Sequence, residues 1–261
     1  MPAHFYMNTE DKEEKIILAK ALDEFDKCQR GTRICYTDFL DMRLQGMLQN
    51  EIKYSGLKYF FYGGYDTAER RMAVFLPDWA DENDFLSDNP VEILRVKHKM
   101  GGRELSHRDY LGSLLGPGIS RSKTGDIVVY SSGADIIILK DMEEFLLANY
   151  FKAGRTELSL ETVPIEMLNL SEIRTEEIKD TVASLRLDAF LSSAYRCARS
   201  KAQEAIRQGL VFVNHAECMK ADKELEEGDI VVLRGKGKCV LKEVGGTSKK
   251  DRTFITIEKY I

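Results

Sequence analysis

The chain has 261 residues, 43% hydrophobic and 31% charged, with 38 Lys and Arg against 43 Asp and Glu for a formal net charge of −5. That length suits two or three small domains of an ordinary folded protein rather than a disordered chain. No apolar run approaches the roughly 18 residues a membrane span needs. The first 15 residues lack a basic-then-apolar secretory layout. Cys28, Cys35, Cys197, Cys218 and Cys239 are odd in number, scattered and without a CxxC pair. They read as reduced thiols in a cytoplasmic protein, with no metal site.

In chain order, Ile16, Ile17, Leu18, Ala21, Leu22 and Phe25 cluster on one face of a helix expected over 10–30. Thr37 is expected to cap a second helix, DFLDMRLQGMLQNEI. A strand over 57–62, a Gly63-Gly64 turn and a returning strand over 71–76 complete an N-terminal α+β unit, taken as domain 1–80. Residues 78–90, DWADENDFLSDNP, are acidic and turn-prone and read as a linker.

Strands are expected over 91–97, 127–130, 136–139 and 157–163. Helices capped by Ser106 and Asp141 are expected through Leu115 and Tyr150. The resulting β-α-β-β-α-β order is ferredoxin-like (RRM-like), taken as domain 81–165. Many unrelated functions share it, so the order alone assigns none. A basic stretch inside it holds Arg95, Lys97, Lys99, Arg103, Arg108, Arg121 and Lys123, with His98 and His107, against Glu104 and Asp109.

Residues 164–181 read as polar and irregular, with room for a short helix, and open the last domain, 166–261. Leu187, Phe190, Leu191 and Ala194 mark one short helix. Ser200 with Gln203 fits a capping box for a second, and Gly209 suits a left-handed helix end. Strands follow over 210–213 and 230–233, with Gly228-Asp229 as a turn. A hairpin over 239–244 and 253–257 would carry Lys236, Lys238, Lys249, Lys250 and Arg252 on its loops.

Net charge argues against a polyanion partner, but its distribution does not. Residues 180–261 hold 15 Lys and Arg against 12 Asp and Glu, so the acidic surplus lies elsewhere. Local sign decides phosphate contact, because charges beyond about 10 Å are screened. Arg186 opens the first short helix, Arg196 and Arg199 flank the joint, Lys201 starts the second helix, and Arg207 lies two turns on. Such basic helix ends are the electrostatic outline of a nucleic-acid reader; a solvated helix face is the plainer reading.

This run resembles the small alpha-L RNA-binding module, also called the S-four domain. It carries Arg186-Leu187-Asp188, Arg199-Ser200-Lys201-Ala202, Ile206, Gly209, Val211, Val213-Asn214 and Gly228-Asp229. Ala198 stands where the pattern usually has Ser. Thr37-Asp38-Phe39-Leu40, Tyr62-Gly63-Gly64-Tyr65, Ala68-Glu69-Arg70-Arg71 and Arg234-Gly235-Lys236-Gly237-Lys238 extend the resemblance to the bacterial YlmH family over nearly the whole chain. The resemblance implies an α+β protein of three small domains that binds structured RNA, ribosomal RNA or tRNA, on the large ribosomal subunit. It implies a role in translation or ribosome-associated quality control, with a link to cell division noted for some members.

The expected RNA contacts are Arg186, Arg196, Arg199, Ser200, Lys201, Arg207, Asn214, Arg234, Lys236 and Lys238. A secondary set in the central domain is Arg103, His107, Arg108, Arg121 and Lys123. Asn214 reads equally as a turn cap, Asp188 as a structural partner of nearby cations, and Arg70 with Arg71 as a strand-edge pair. Tyr59, Phe60, Phe61, Tyr62 and Tyr65 read as core or as stacking faces. Neither glycine pair has phosphate-loop spacing, and no catalytic or metal-ligand cluster is recognisable, so no cofactor is expected. Two rivals stand beside RNA binding: an RNA-modifying enzyme of pseudouridine synthase or methyltransferase type using the module as an anchor, and a cell-division adaptor.

Overall fold

Helical spacing buries Leu18, Ala21, Phe25 and Cys28 on one face of α1 (Lys12–Arg30), whose cap, Asp11, accepts the Glu13 N–H. The computed structural model describes residues 11–98, 105–116, 118–170, 175–248 and 250–260, and its two units are Met1–Glu172 and Ile173–Ile261. In the first unit β1 (Cys35–Tyr36), α2 (Met42–Ile52), β2 (Lys58–Tyr62) and β3 (Met72–Leu76) follow α1, in the antiparallel order β1-β3-β2. Both helices pack on this sheet through Leu18, Phe25, Leu44, Leu48, Ile52 and Phe75. Thr37 is not the cap of α2. Its buried hydroxyl takes the Ala73 N–H, while Asp41 caps the helix by accepting the Leu44 N–H at 2.9 Å.

The acidic stretch expected as a linker is structured. Asp81 and Asp84 form the capping box of α3 (Glu82–Ser87), and Phe85 is 3% exposed. Two of the carboxylates that gave the stretch a loop-like composition are caps, and the lone Phe anchors it. The central fold follows as β4 (Val91–His98), α4 (His107–Leu115), β5 (Thr124–Tyr130), β6 (Gly133–Leu139), α5 (Glu143–Asn149), β7 (Lys152–Ala153) and β8 (Thr156–Pro164). Its antiparallel order, β5-β6-β4-β8-β7, is the ferredoxin-like arrangement with one added edge strand. Ser106 caps α4 with Asp109 in a capping box, as expected. Asp141 does not cap α5; it pairs with Lys123, and no side chain caps that helix.

Strand alternation divides the central sheet into two faces. Leu94, Val96, Ile136 and Ile138 meet Tyr110, Leu114 and Leu146 of the helices. Ile93, Ile137, Leu139 and Ile165 meet Phe39, Met72, Val74 and Phe85. The N-terminal and central folds therefore share a core across the boundary expected at residue 80. That second face is the one an RRM-like sheet would leave open.

The second unit holds β9 (Thr175–Val182), α6 (Leu187–Ala194), α7 (Arg199–Arg207), β10 (Val211–Val213), β11 (Ala216–Glu217), β12 (Ile230–Leu233), β13 (Gly237–Thr247) and β14 (Thr253–Tyr260). Its antiparallel sheet runs β11-β10-β12-β13-β14-β9. Leu187, Phe190, Leu191, Ala202 and Ile206 of the helices pack against Val211, Val231, Leu241 and Ile257. β9 was expected as irregular chain. It is an edge strand, TEEIKDTV, whose charges face water and blunt the edge, and pairing with β14 from Thr175–Tyr260 to Val182–Thr253 supplies the order its composition hides. Gly209, at φ +68, ends α7 in the left-handed region where a side chain is strained.

Candidate nucleic-acid interface

The two short helices are joined by one buried carboxylate. Asp188 is 0% exposed and accepts two hydrogen bonds from Arg199, Nε at 2.9 Å and Nη2 at 2.8 Å. It also accepts the Gln203 amide at 2.7 Å and Arg186 Nε at 3.3 Å. Burial alone would raise this carboxyl, but the bonds from Arg199, Gln203 and Arg186 outweigh it and hold it down at about 2. The start of α6 is fixed by the same region: the Leu187 and Asp188 N–H groups donate to the carbonyls of Lys223 and Ala221. Asp188 is thus the structural partner expected of it. Arg186 and Arg199 are held by it, with side chains still 37% and 49% exposed.

The capping box expected at Ser200 and Gln203 is absent. α7 starts two residues earlier, Ala198 is its cap position, and no side chain caps it. Gln203 is drawn to Asp188 instead, and Ser200 lies exposed in the first turn. An uncapped helix start with exposed residues offers backbone donors and partial positive charge to an anion. Lys201 beside it is exposed, with no ion pair among the described residues. Arg196 is exposed on left-handed backbone, φ +46, and pairs with Glu176 at 3.2 Å. Arg207 pairs with Glu204 at 2.7 Å. Both pairs lie in water, where such contacts are worth about 0–1 kcal/mol, so a phosphate can replace the carboxylate at little cost.

A second group of cations surrounds the β12–β13 turn. Arg234 and Lys236 are exposed there, and the turn is tied to the end of α6 by the Tyr195 hydroxyl, which donates to the Gly237 carbonyl at 2.6 Å. Lys259 Nζ lies 5.1 Å from the Tyr195 ring centre. Lys238, expected on a loop, is a strand residue opposite Val232 and is 5% exposed, with its ammonium 4.2 Å from the Tyr260 ring centre. The ring face replaces solvent for that charge, so Lys238 shapes the site from inside. Tyr195, Lys259 and Tyr260 were missed in the sequence. The Tyr-Arg pair at the helix joint and the Lys-Tyr pair near the end were their only signals.

Asn214 belongs to the scaffold. With His215 it has positive φ in the tight turn between β10 and β11. Its amide donates to Asp229 at 2.7 Å and accepts the Ile230 N–H at 2.9 Å. Arg252 likewise donates to Thr181 on β9, and Lys249 lies outside the described residues.

Two members of the secondary set in the central fold, Arg121 and Lys123, are spent inside it. Arg121 Nη1 donates to the carbonyls of Thr124 and Gly125 and to the Thr124 hydroxyl. Burial, then the neighbouring Arg70, lowers its guanidinium to about 9. Lys123 pairs with Asp38 at 3.0 Å and with Asp141 at 3.3 Å. These two are corrected to structural roles. Arg95 is bound by the buried Asp135 and Lys97 by Glu161. His107 and Arg108 stay exposed at the start of α4, while Lys99 and Arg103 lie outside the described residues. Arg70 donates to the carbonyls of Thr124, Phe39 and Arg121, and its N–H and that of Glu69 are held by Asp126, which also takes the Tyr65 hydroxyl. Tyr59 and Phe61 pack against one core and Phe60, Tyr62 and Tyr65 against the other, each half-buried.

Among the described residues no group of three or more His, Cys, Asp or Glu is placed to hold a metal, and no helix is long and apolar enough to cross a membrane. Two family models match, "Putative RNA-binding domain in YlmH" over residues 83–167 and the S4 domain over residues 185–231. A solved structure titled "Cell division protein ylmH from Streptococcus pneumoniae" is similar with a TM-score of 0.49 at 23% identity, covering 63% of this chain and 100% of that one. The chain is also 34% identical over 248 residues, 95% of its length and 96% of the relative's, to the "Ribosome-associated protein quality control protein P2" of Bacillus subtilis (strain 168). With a relative that close over almost its full length, and with both matched domains in order, the chain belongs to the YlmH family.

Proposed function

We propose that this protein is a non-catalytic RNA-binding protein that recognises structured ribosomal RNA or tRNA on the large ribosomal subunit. It acts there in ribosome-associated quality control, the role printed in its relative's name. The observation that carries this reading is the Asp188 junction. One buried carboxylate locks two short helices at a fixed angle, and the uncapped start of α7 with Lys201 is left outside the lock. Arg196, Arg207, Arg234 and Lys236 supply further exposed cations around α6, α7 and the turn bonded to Tyr195. A rigid set of cations suits A-form RNA, whose narrow major groove turns recognition toward backbone and exposed loops. Arginine adds bidentate contacts to phosphate.

The test is co-sedimentation of the full chain with large subunits, using Lys201→Glu combined with Lys236→Glu. The wild type is expected in the subunit fraction and the variant in the supernatant, with unchanged thermal unfolding. Equal co-sedimentation of both proteins overturns the placement. Crosslinking in cells followed by sequencing of the bound RNA identifies the target, and recovery of messenger RNA alone contradicts the ribosomal assignment.

A further inference from the structure

An RRM-like sheet reads RNA by stacking bases on aromatic side chains of its open face. In this chain the outward positions of the two middle strands are Ile93 and Arg95 on β4, with Ile137 and Asp135 opposite them on β6. None of the four is aromatic. Ile93, Ile137 and Asp135 are 0% exposed. Two separate parts of the chain cover them.

The N-terminal fold takes the apolar half, where Phe39, Met72, Val74 and Phe85 pack on Ile93 and Ile137. The approach is close enough to need glycine. Gly64, in the Tyr62-Gly63-Gly64-Tyr65 turn, has φ +90, and a Cβ there would lie 2.7 Å from Ile165 Cδ1 and 3.5 Å from Ile137 Cδ1. The turn thus lays bare backbone against the sheet. On β5, a Cβ at Gly125 would stand 3.0 Å from the Phe39 ring. The segment after β8 takes the polar half. Asp135 accepts the Asn169 N–H at 3.0 Å, and Arg95 Nη2 donates to the Met167 carbonyl at 2.6 Å. Arg95 and Asp135 also form a bidentate pair, both bonds 2.9 Å. Tyr130, the aromatic residue of β5, is buried and donates its hydroxyl to Asp135 at 3.0 Å. At the outer end Lys97 pairs with Glu161 at 2.7 Å.

We infer that this sheet is a protein-docking face filled by its own chain, so the central domain reads no bases there and serves as the seat of the N-terminal fold. RNA could reach the face only by returning Ile93, Ile137, Phe39 and Phe85 to water, which the hydrophobic effect opposes. It would also strip Asp135 and Arg95 of the backbone partners that the segment after β8 supplies. The Tyr-Gly-Gly-Tyr turn, which the RNA contacts leave without a role, is the part of the N-terminal fold shaped for this seat. The inference deepens the RNA-binding reading by confining base contact to other surfaces, and it rests on that reading only where RNA enters the test.

The test has two arms, both on the full chain. The first crosslinks the wild type to a structured ribosomal RNA fragment labelled with thiouridine and maps the attached peptides. Adducts are expected in the second unit and none on β4 or β6. An adduct at Ile93, Arg95, Asp135 or Ile137 overturns the inference and leaves RNA binding standing. Adducts nowhere contradict the RNA reading instead, and the second arm then decides the inference. That arm needs no RNA and follows amide exchange in the free wild type and in Gly64→Ala. The added methyl is strained at positive φ and pushes on Ile165, so exchange on β3, β4 and β6 should rise together, by about tenfold. A rise confined to β2 and β3 means that the N-terminal fold does not seal the sheet, and overturns the inference. Where RNA binds, Gly64→Ala should leave its affinity unchanged. A gain in affinity would reveal a masked RNA site under the turn and overturn the inference as well.

Discussion

The two units use the same residue types in opposite ways. In the second, Asp188 gathers Arg186, Arg199 and Gln203 into a buried junction, while Lys201, Arg196, Arg207, Arg234 and Lys236 stay outside it. In the first, Arg70 and Arg121 turn inward to backbone carbonyls, and Asp126 binds backbone N–H groups and a tyrosine rather than a guanidinium. Both are polar junctions that fix neighbouring elements. Among the described residues, Arg70 and Arg121 are held inside their junction while Lys201, Arg234 and Lys236 lie outside theirs, so a local count of Lys and Arg does not reveal which cations are exposed.

The comparison predicts different losses. Arg70→Ala removes one donor from each of three carbonyls, of which that of Thr124 keeps Arg121, and should cost about 3 kcal/mol of the first unit's stability in denaturant unfolding, leaving RNA affinity unchanged. A fall in affinity at constant stability would move Arg70 to the binding surface. Asp188→Ala should cost about 2 kcal/mol, less than a fully buried pair, because both guanidiniums reach solvent; here RNA affinity should fall too, since the helix joint loosens. Acid separates the junctions further. Asp188 is held at about 2, below its usual 3.8. A carboxyl lowered by folding stabilises the protein above its free value and loses that contribution as pH falls toward the folded value. The loss of about 2 kcal/mol is therefore expected between about pH 4 and 2, on the acid limb of unfolding. Asp188→Asn should flatten that limb. Smallest is Ser200→Ala, expected to change stability by under about 0.5 kcal/mol, as for an exposed residue that caps nothing. A loss near 1 kcal/mol would restore the capping box.

Much of the fold was legible because it rests on local signals. The apolar faces of α1 and α6, the Ser106 cap and the β-α-β-β-α-β order are periodicity and cap chemistry, which act within a few residues. What was misread depends on distant partners. Gln203 has a cap-like spacing from Ser200, yet Asp188, fifteen residues away, offers a buried charge that wins. Lys238 sits in a run that looks like a basic loop, but the ring of Tyr260 takes it into the sheet. Phe39 and Phe85 could not announce that they meet on one sheet face and join two folds. At the candidate site Lys201, Arg234 and Lys236 are exposed, whereas Asn214, Arg121 and Lys123 have structural partners no spacing rule contains.

The most direct measurement is the salt dependence of affinity for a structured ribosomal RNA fragment, for the full chain and for Lys201→Glu with Lys236→Glu. Phosphate contacts release counterions, so log K should fall linearly with log salt, and removing two contacts should reduce the slope by about 2. That result, with unfolding unchanged, is what a cationic surface outside the Asp188 lock predicts. An identical slope for the variant would contradict it.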